Sequence, residues 1–485
     1  NILNLILDEA IDGDRIPSYL EVGGDSVVEG TVDAAIDVSA ETTDGNANAS
    51  NALTDAVGID TQFIETGGDG SVAASVDLDA SVTASTVDGS ATATQAVTEA
   101  KGADLQTIDV GASAIGTSQA GVQAIADIDL ITSAQSTGDA ISDSAVSDAQ
   151  VDGVMGLDLS DADMTATGSR GDSANSLLKT GDAASVLAVA DLSSSATSTS
   201  VDGNTEAVVK VGADDSTATG DAAIGFNLDD AAEIGGLATI DGQSLASLAA
   251  AASTAAGVAG SGETRAAAGA EQVAGVDIDM VSGDVSLIGD SASIQALAQV
   301  DVAATADANE GTATAEAGDL SAAAAGLNNS SSMAVTGFSA NETITVGSTA
   351  QLDADAVAAL AATAQSIDGT ANSTAKTTAV TGSATSVFSA NGDADLSADA
   401  RSSQSANSGS ISGDGSATAT TLNSTGLDFN STTTLGADAA LQGTSVSNNA
   451  ALAASNLAIA TATANAGINK GVDTAVPLAI GDDAT

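Results

Sequence analysis

The sequence predicts an all-β protein: a repetitive β-solenoid of stacked β-coils, with short Ala-rich helical segments as a local option. Three observations point there. Pro17 and Pro477 are the only two prolines in 485 residues. Such exclusion is expected where every main-chain N–H joins a ladder. Small residues alternate with one another on either side of Asp-Gly pairs, as in "VTASTVDGSATATQAV" (82–97). The 51 glycines fall close to the spacing of turns in short-stranded β proteins, about one per 8–12 residues.

The interior such a chain can build is poor in bulk. Aromatic residues make up 1%, with no Trp, one Tyr and five Phe, so the 43% hydrophobic fraction is mainly Ala and Val. Burying a methyl-sized group gains about 0.8 kcal/mol, against roughly 1.5–3 for Leu or Phe. Ordering each residue costs about 1–2 kcal/mol of backbone entropy. A conventional globule is therefore disfavoured. Close sheet packing with extensive main-chain pairing is the alternative, and Ala, Ser and Thr on the inward face suit a narrow interior.

Self-similarity supports stacking. "SAETTDGNANASNA" (39–52), "TASTVDGSATATQA" (83–96), "TSTSVDGNTEAVVK" (197–210), "TAQSIDGTANSTAK" (363–376) and "GSISGDGSATATTL" (409–422) share an alternation, an acidic-Gly pair and a second alternation. Upstream lie Gly-Asp turns such as "ETGGDGSVAASVDLDASV" (65–82). About nine degenerate copies of about 50 residues are expected, each too weak to fold without its neighbours. Residues 1–25 are expected to be an N-terminal cap or polymerising strand. Residues 26–470 form one continuous solenoid in this reading, and 471–485 a C-terminal cap or tail. The Ala-rich stretches 353–365 and 244–260 carry strong helix formers and are the places for helix.

Composition excludes several functions. Sixty-six acidic residues against nine basic give a formal charge of −57, which opposes binding to nucleic acid or anionic membranes and suits salty water. With no His and no Cys, His- or Cys-based nucleophilic catalysis and the usual zinc ligand sets are missing. The expectation is a non-enzyme with no required cofactor. The chain begins with Asn, without a basic and apolar leader, and reads as a processed product or an excerpt. No segment reads as a membrane span.

Candidate sites follow from what remains. Asp69, Asp88, Asp202 and Asp414 sit in Gly-Asp or Asp-Gly turns, the oxygen-rich setting that Ca2+ takes. "NILNLIL" (1–7) is the most hydrophobic short segment and "TAVPLAI" (474–480) its counterpart. Ile2, Leu3, Leu5, Ile6, Leu7, Pro477, Leu478 and Ile480 are thus candidates for self-assembly by strand addition. "TAT" at 312–314 and 461–463 suggests Thr ladders able to meet ice or mineral, and "SRGDS" (169–173) spells an adhesion tripeptide.

The TVDGSATA and TGGDGSV elements resemble the large "β-strand repeat" surface and secreted proteins of marine bacteria, including cyanobacteria, over most of the chain. That resemblance implies secretion, great length and a structural or adhesive role. The expected function is an extracellular structural protein that self-assembles head-to-tail into a fibre, sheath or matrix at the cell surface. The alternatives are the stalk of a large secreted adhesin and an ice- or mineral-binding protein. Expected partners are copies of itself, with divalent cations or surface polysaccharide as further candidates.

Overall fold

Strict two-residue alternation without proline puts one side chain in and the next out along each strand, and strand is the regular structure adopted. The computed structural model describes residues 19–110, 118–138, 143–159, 177–212, 223–229, 231–255, 262–280, 285–320, 332–475 and 478–481. In order these hold β1 (Tyr19–Val22), β2 (Ser26–Asp44), β3 (Ala47–Thr66), β4 (Gly70–Asp88), β5 (Ala91–Val110), β6 (Ala120–Ser136), β7 (Ala145–Leu159), β8 (Leu177–Thr180) and β9 (Ala184–Ser200). There follow β10 (Thr205–Val211), β11 (Ala223–Leu228), β12 (Ala231–Ile234), β13 (Ala238–Thr254), β14 (Glu263–Ala270), β15 (Gln272–Ile278), β16 (Val285–Ile288), β17 (Ala292–Glu310) and β18 (Thr312–Gly318). The rest are β19 (Ala334–Val346), β20 (Ala350–Asp368), β21 (Ala371–Ala390), β22 (Ala394–Ser410), β23 (Gly415–Phe429), β24 (Thr433–Leu435), β25 (Ala439–Ser455), β26 (Ala460–Thr474) and β27 (Leu478–Ile480).

Nine long strands, β2-β4-β6-β9-β13-β17-β20-β22-β25, form one continuous sheet, and the other eighteen form a second sheet facing it. The chain passes from one sheet to the other at each corner, so neighbours within a sheet are parallel and in register. Ser26 lies on Gly70, Gly70 on Ala120, and so on to Ala439. The steps run from 44 residues (Ser26 to Gly70) to 64 (Ala120 to Ala184). This architecture is all-β, parallel and solenoid-like.

The helical option is wrong among the described residues. Positions 353–365 lie within β20, and 244–254 within β13; 256–260 fall outside the described residues. Ala is the best helix former by only a few tenths of a kcal/mol per residue. Here the alternate Ala354, Ala356, Ala358, Ala362 and Ala364 are buried, and β20 is paired on both sides, by β17 and β22. Tertiary pairing overrides the local preference.

A column of glycines sets the thickness of the interior. Gly58, Gly102, Gly156, Gly225, Gly275, Gly337, Gly382 and Gly426 follow one another up the second sheet, and each abuts the main chain of the continuous sheet. A methyl on Gly275 would come within 2.6 Å of the Leu297 nitrogen, and one on Gly337 within 2.9 Å of the Asp355 nitrogen. The strand ladder steps over these glycines, pairing Val57 with Lys101 and then Ile59 with Ala103. The two sheets thus touch backbone to backbone, and the core divides at this waist. One lobe is lined mostly by Ala and Val, among them Val76, Ala126, Ala190, Ala298 and Ala356. The other holds the buried phenylalanines, Phe226, Phe338, Phe388 and Phe429, with Ile108 and Leu157 among its aliphatic residues.

Hydroxyls and Asx side chains bind the corners together. The Thr86, Ser136, Ser366, Ser410 and Ser455 hydroxyls each donate to a glycine carbonyl one rung below, at 2.7–3.0 Å. At the Asp-Gly corner Gly45 and Gly89 have φ of 100° and 127°, a region that Cβ-bearing residues avoid.

Gly275→Ala is expected to lose about 1–3 kcal/mol of stability through overpacking. Gly121→Ala, where a methyl meets only the Gly70 carbonyl oxygen at 4.0 Å, is the matched control and leaves thermal unfolding unchanged.

Candidate functional site

The four turn aspartates do not converge. Asp69 stands at the corner between β3 and β4, whereas Asp88, Asp202 and Asp414 stand at the opposite corner, in different rungs. Two of them have a structural task. The Asp69 carboxylate accepts the Gln119 main-chain N–H at 2.9 Å, and Asp414 accepts that of Ile459 at 3.0 Å. Asp25, Asn46 and Asn204 do the same for Asp69, Ser90 and Glu263. The turn acid is thus a clip between rungs. Asp202 is buried at 4% exposure, and Asp88 is exposed. Among the described residues no group of three or more acidic side chains is arranged to hold a metal ion.

Register gathers other acids that turn motifs do not reveal. On the outer face of the continuous sheet, Asp33, Asp77, Asp127 and Asp191 form an unbroken column, with Asp79 and Asp129 in the next. Adjacent rungs are about 4.8 Å apart, so each like-charge neighbour costs on the order of 1 kcal/mol even in water. Partial burial, then Asp191, Asp129 and Asp77, pushes the Asp127 carboxyl up. Partial burial and Asp129 push up Asp191.

A second column lies on the outer side of the second sheet: Asp60, Asp104, Asp158, Asn227 and Asp277. The buried Lys101 ammonium reaches Asp158 at 2.7 Å, Asp104 at 3.0 Å and Glu99 at 3.2 Å. Burial alone would lower the Lys101 pKa, but these three carboxylates raise it well above the usual lysine range. The Asn227 amide donates to Asp158 at 3.0 Å and to Asp229 at 3.4 Å. Burial first, then Asp158 and Asp279, push Asp229 up to about 6. The signal for this column is present in the sequence as Gly-x-Asp with apolar x: "GID" (58–60), "GAD" (102–104), "GLD" (156–158) and "GVD" (275–277). Spacing from the waist glycine places the acid, and that spacing has no meaning until the waist is seen.

Of the self-assembly candidates, Ile2, Leu3, Leu5, Ile6, Leu7 and Pro477 lie outside the described residues, as does SRGDS (169–173). Leu478 and Ile480 belong to β27, which pairs with β24, and both pack against the bulkier core lobe. They lie in the last rung of the described stack. Among the described residues β25 pairs only with β22, β26 only with β23, and β2 only with β4.

No helix among the described residues is long and apolar enough to cross a membrane.

Asp229→Asn is expected to raise the melting temperature at neutral pH. Because the folded carboxyl binds its proton more tightly than the unfolded one, its ionisation removes stability as pH rises through about 4 to 6. The variant therefore flattens the pH dependence of thermal unfolding in that window. Lys101→Met leaves Asp158 and Asp104 uncompensated and is expected to cost about 3–5 kcal/mol, with the loss shrinking in acid.

The chain matches no family model, no curated protein and no solved structure.

Proposed function

We propose that this chain is a non-catalytic structural subunit that builds an extracellular fibre, sheath or matrix by end-to-end contact of its sheets. In this reading the about 50-residue units of the sequence are the coils of one continuous solenoid, and the chain works through its length and its edges. The observation that carries the reading is the continuous stack of parallel rungs in register over both sheets. Edges of such a stack are templates for further pairing. The acidic faces favour solubility and discourage lateral association, which leaves the ends as the place to grow. Divalent cations are the natural counter-ions for a surface with the Asp33–Asp191 column.

Negative-stain imaging of the purified chain in seawater-strength salt is expected to show unbranched fibres one solenoid wide. Particles that stay single rods at every concentration, with a light-scattering mass of one chain, would reject the fibre reading in favour of a stalk. Adding Ca2+ at constant ionic strength is expected to raise the melting temperature by several degrees, and chelation to reverse it. An unchanged transition would remove cations from the account.

A further inference from the structure

Lys101, Asp104, Asp158 and Asn227 form a connected polar group on the outer side of the second sheet. Lys101, Asp158 and Asn227 are buried, at 5%, 2% and 3% exposure. The local chain explains how they meet. The ladder skips Gly102, pairing Lys101 with Met155 and then Ala103 with Leu157. That step breaks the two-residue alternation, so Lys101 and Asp104 reach one another although they stand three places apart. Register then sets Asp158 of β7 on Asp104 of β5, and Asn227 of β11 on Asp158. The column of Lys101 continues as Met155, Ile224 and Ala274, a buried apolar cluster. One flank of the ion pair is therefore apolar.

We infer that Lys101 and Asp158 condense into an intramolecular amide, a covalent tie between β5 and β7 that the chain makes by itself. The inference stands whether or not the chain forms fibres. Nucleophile, electrophile, proton carrier and charge-stabilising donor are each in place. Nζ of Lys101 lies 2.7 Å from Asp158 Oδ2, and the ammonium hands one proton to that oxygen. The neutral amine is a nucleophile, and its lone pair attacks Asp158 Cγ to form the C–N bond. Negative charge develops on Asp158 Oδ1, the oxygen to which the Asn227 amide donates at 3.0 Å.

Asp104 completes the step. Its carboxylate, 3.0 Å from Nζ, takes a second proton from the nitrogen and gives it to the departing Oδ2 as the C–O bond breaks. The ammonium and the carboxylate become one amide and one water. The third proton stays on the amide nitrogen, Asp104 ends as it began, and nothing is oxidised or reduced.

Two properties of the setting favour condensation. Groups held in contact react as if each were present at about 10⁵–10⁸ M, and the chain needs only one turnover, so a slow step suffices. The second is electrostatic. A buried ion pair is a weak stabiliser, because desolvation offsets much of the attraction. Amide formation removes both buried charges together. The carboxylates left without the ammonium, Asp104 and Glu99, are the partly exposed ones, at 34% and 45%, and water takes over their solvation.

Peptide mapping by mass spectrometry tests this on the purified full chain, cut beside its aspartates. A peptide containing Lys101 is expected to be joined to one containing Asp158, the pair one water lighter than the two together. Lys376 and Asp319, 2.9 Å apart but with the lysine 39% exposed, are the internal comparison and are expected to stay unlinked. Lys101→Arg keeps the positive charge and is expected to abolish the link. Asp104→Asn is expected to slow its appearance after refolding by about a hundredfold or more; an unchanged rate would overturn the proton relay. The wild-type map decides the main point even where a variant does not fold. Lys101 and Asp158 recovered in separate, unmodified peptides would overturn the inference. So would water loss confined to Asp-Gly pairs, or a link from Lys101 to Asp104 or Glu99 instead.

Discussion

Main-chain pairing between parallel strands in register is the interaction on which everything else in this protein depends. Each rung bonds to the rung above and below along nearly its whole length, as β13 does to β9 and β17 from Ala238 to Thr254. Pairing of this kind forces equivalent residues into columns about 4.8 Å apart. A column must then be filled by side chains that tolerate their own kind as neighbours. Alanine and valine do so inside, and serine and threonine do so at the corners, where each hydroxyl also satisfies a carbonyl of the adjacent rung. The low-bulk composition follows from the geometry.

The waist explains how so thin an interior holds together. Where the glycine column presses on the continuous sheet, main chain meets main chain. The buried phenylalanines are gathered on one side of that line, while alanines line both. Each lobe is narrow enough to be filled by what it has. The cost appears on the outside, where register also stacks like charges. Asp33, Asp77, Asp127 and Asp191 repel one another in a column that the fold imposes. Near Lys101 the same imposition is relieved by a buried cation and by Asn227, which takes the place of an acid in its column.

The ends and the middle obey one rule. Among the described residues β25, β26 and β2 are each paired on one side, by β22, β23 and β4. In the proposed fibre, growth by addition of identical rungs needs no new chemistry. An assembly built in this way would be continuous in hydrogen bonding, so its strength along the axis would equal that within one subunit.

Much of this was legible in the residues. Proline exclusion, Asp-Gly corners and two-residue alternation pointed to strand and turn, because each is a local property of the main chain; stacking into a solenoid was favoured over a row of antiparallel hairpins, and the parallel pairing was decided by the tertiary structure. The sequence did not disclose that "DADAVAALAATAQ" would be strand, since its helix preference is local and the pairing that defeats it comes from β17 and β22. Nor could it reveal which aspartates meet. Asp69 and Asp414, cation candidates by motif, clip one rung to the next, whereas Asp127 and Asp229 had no motif and became the crowded carboxylates. Position within a rung is written in the chain. Which rungs touch, and at what offset, is set only by register, because insertions of different length separate residues that end up one above another.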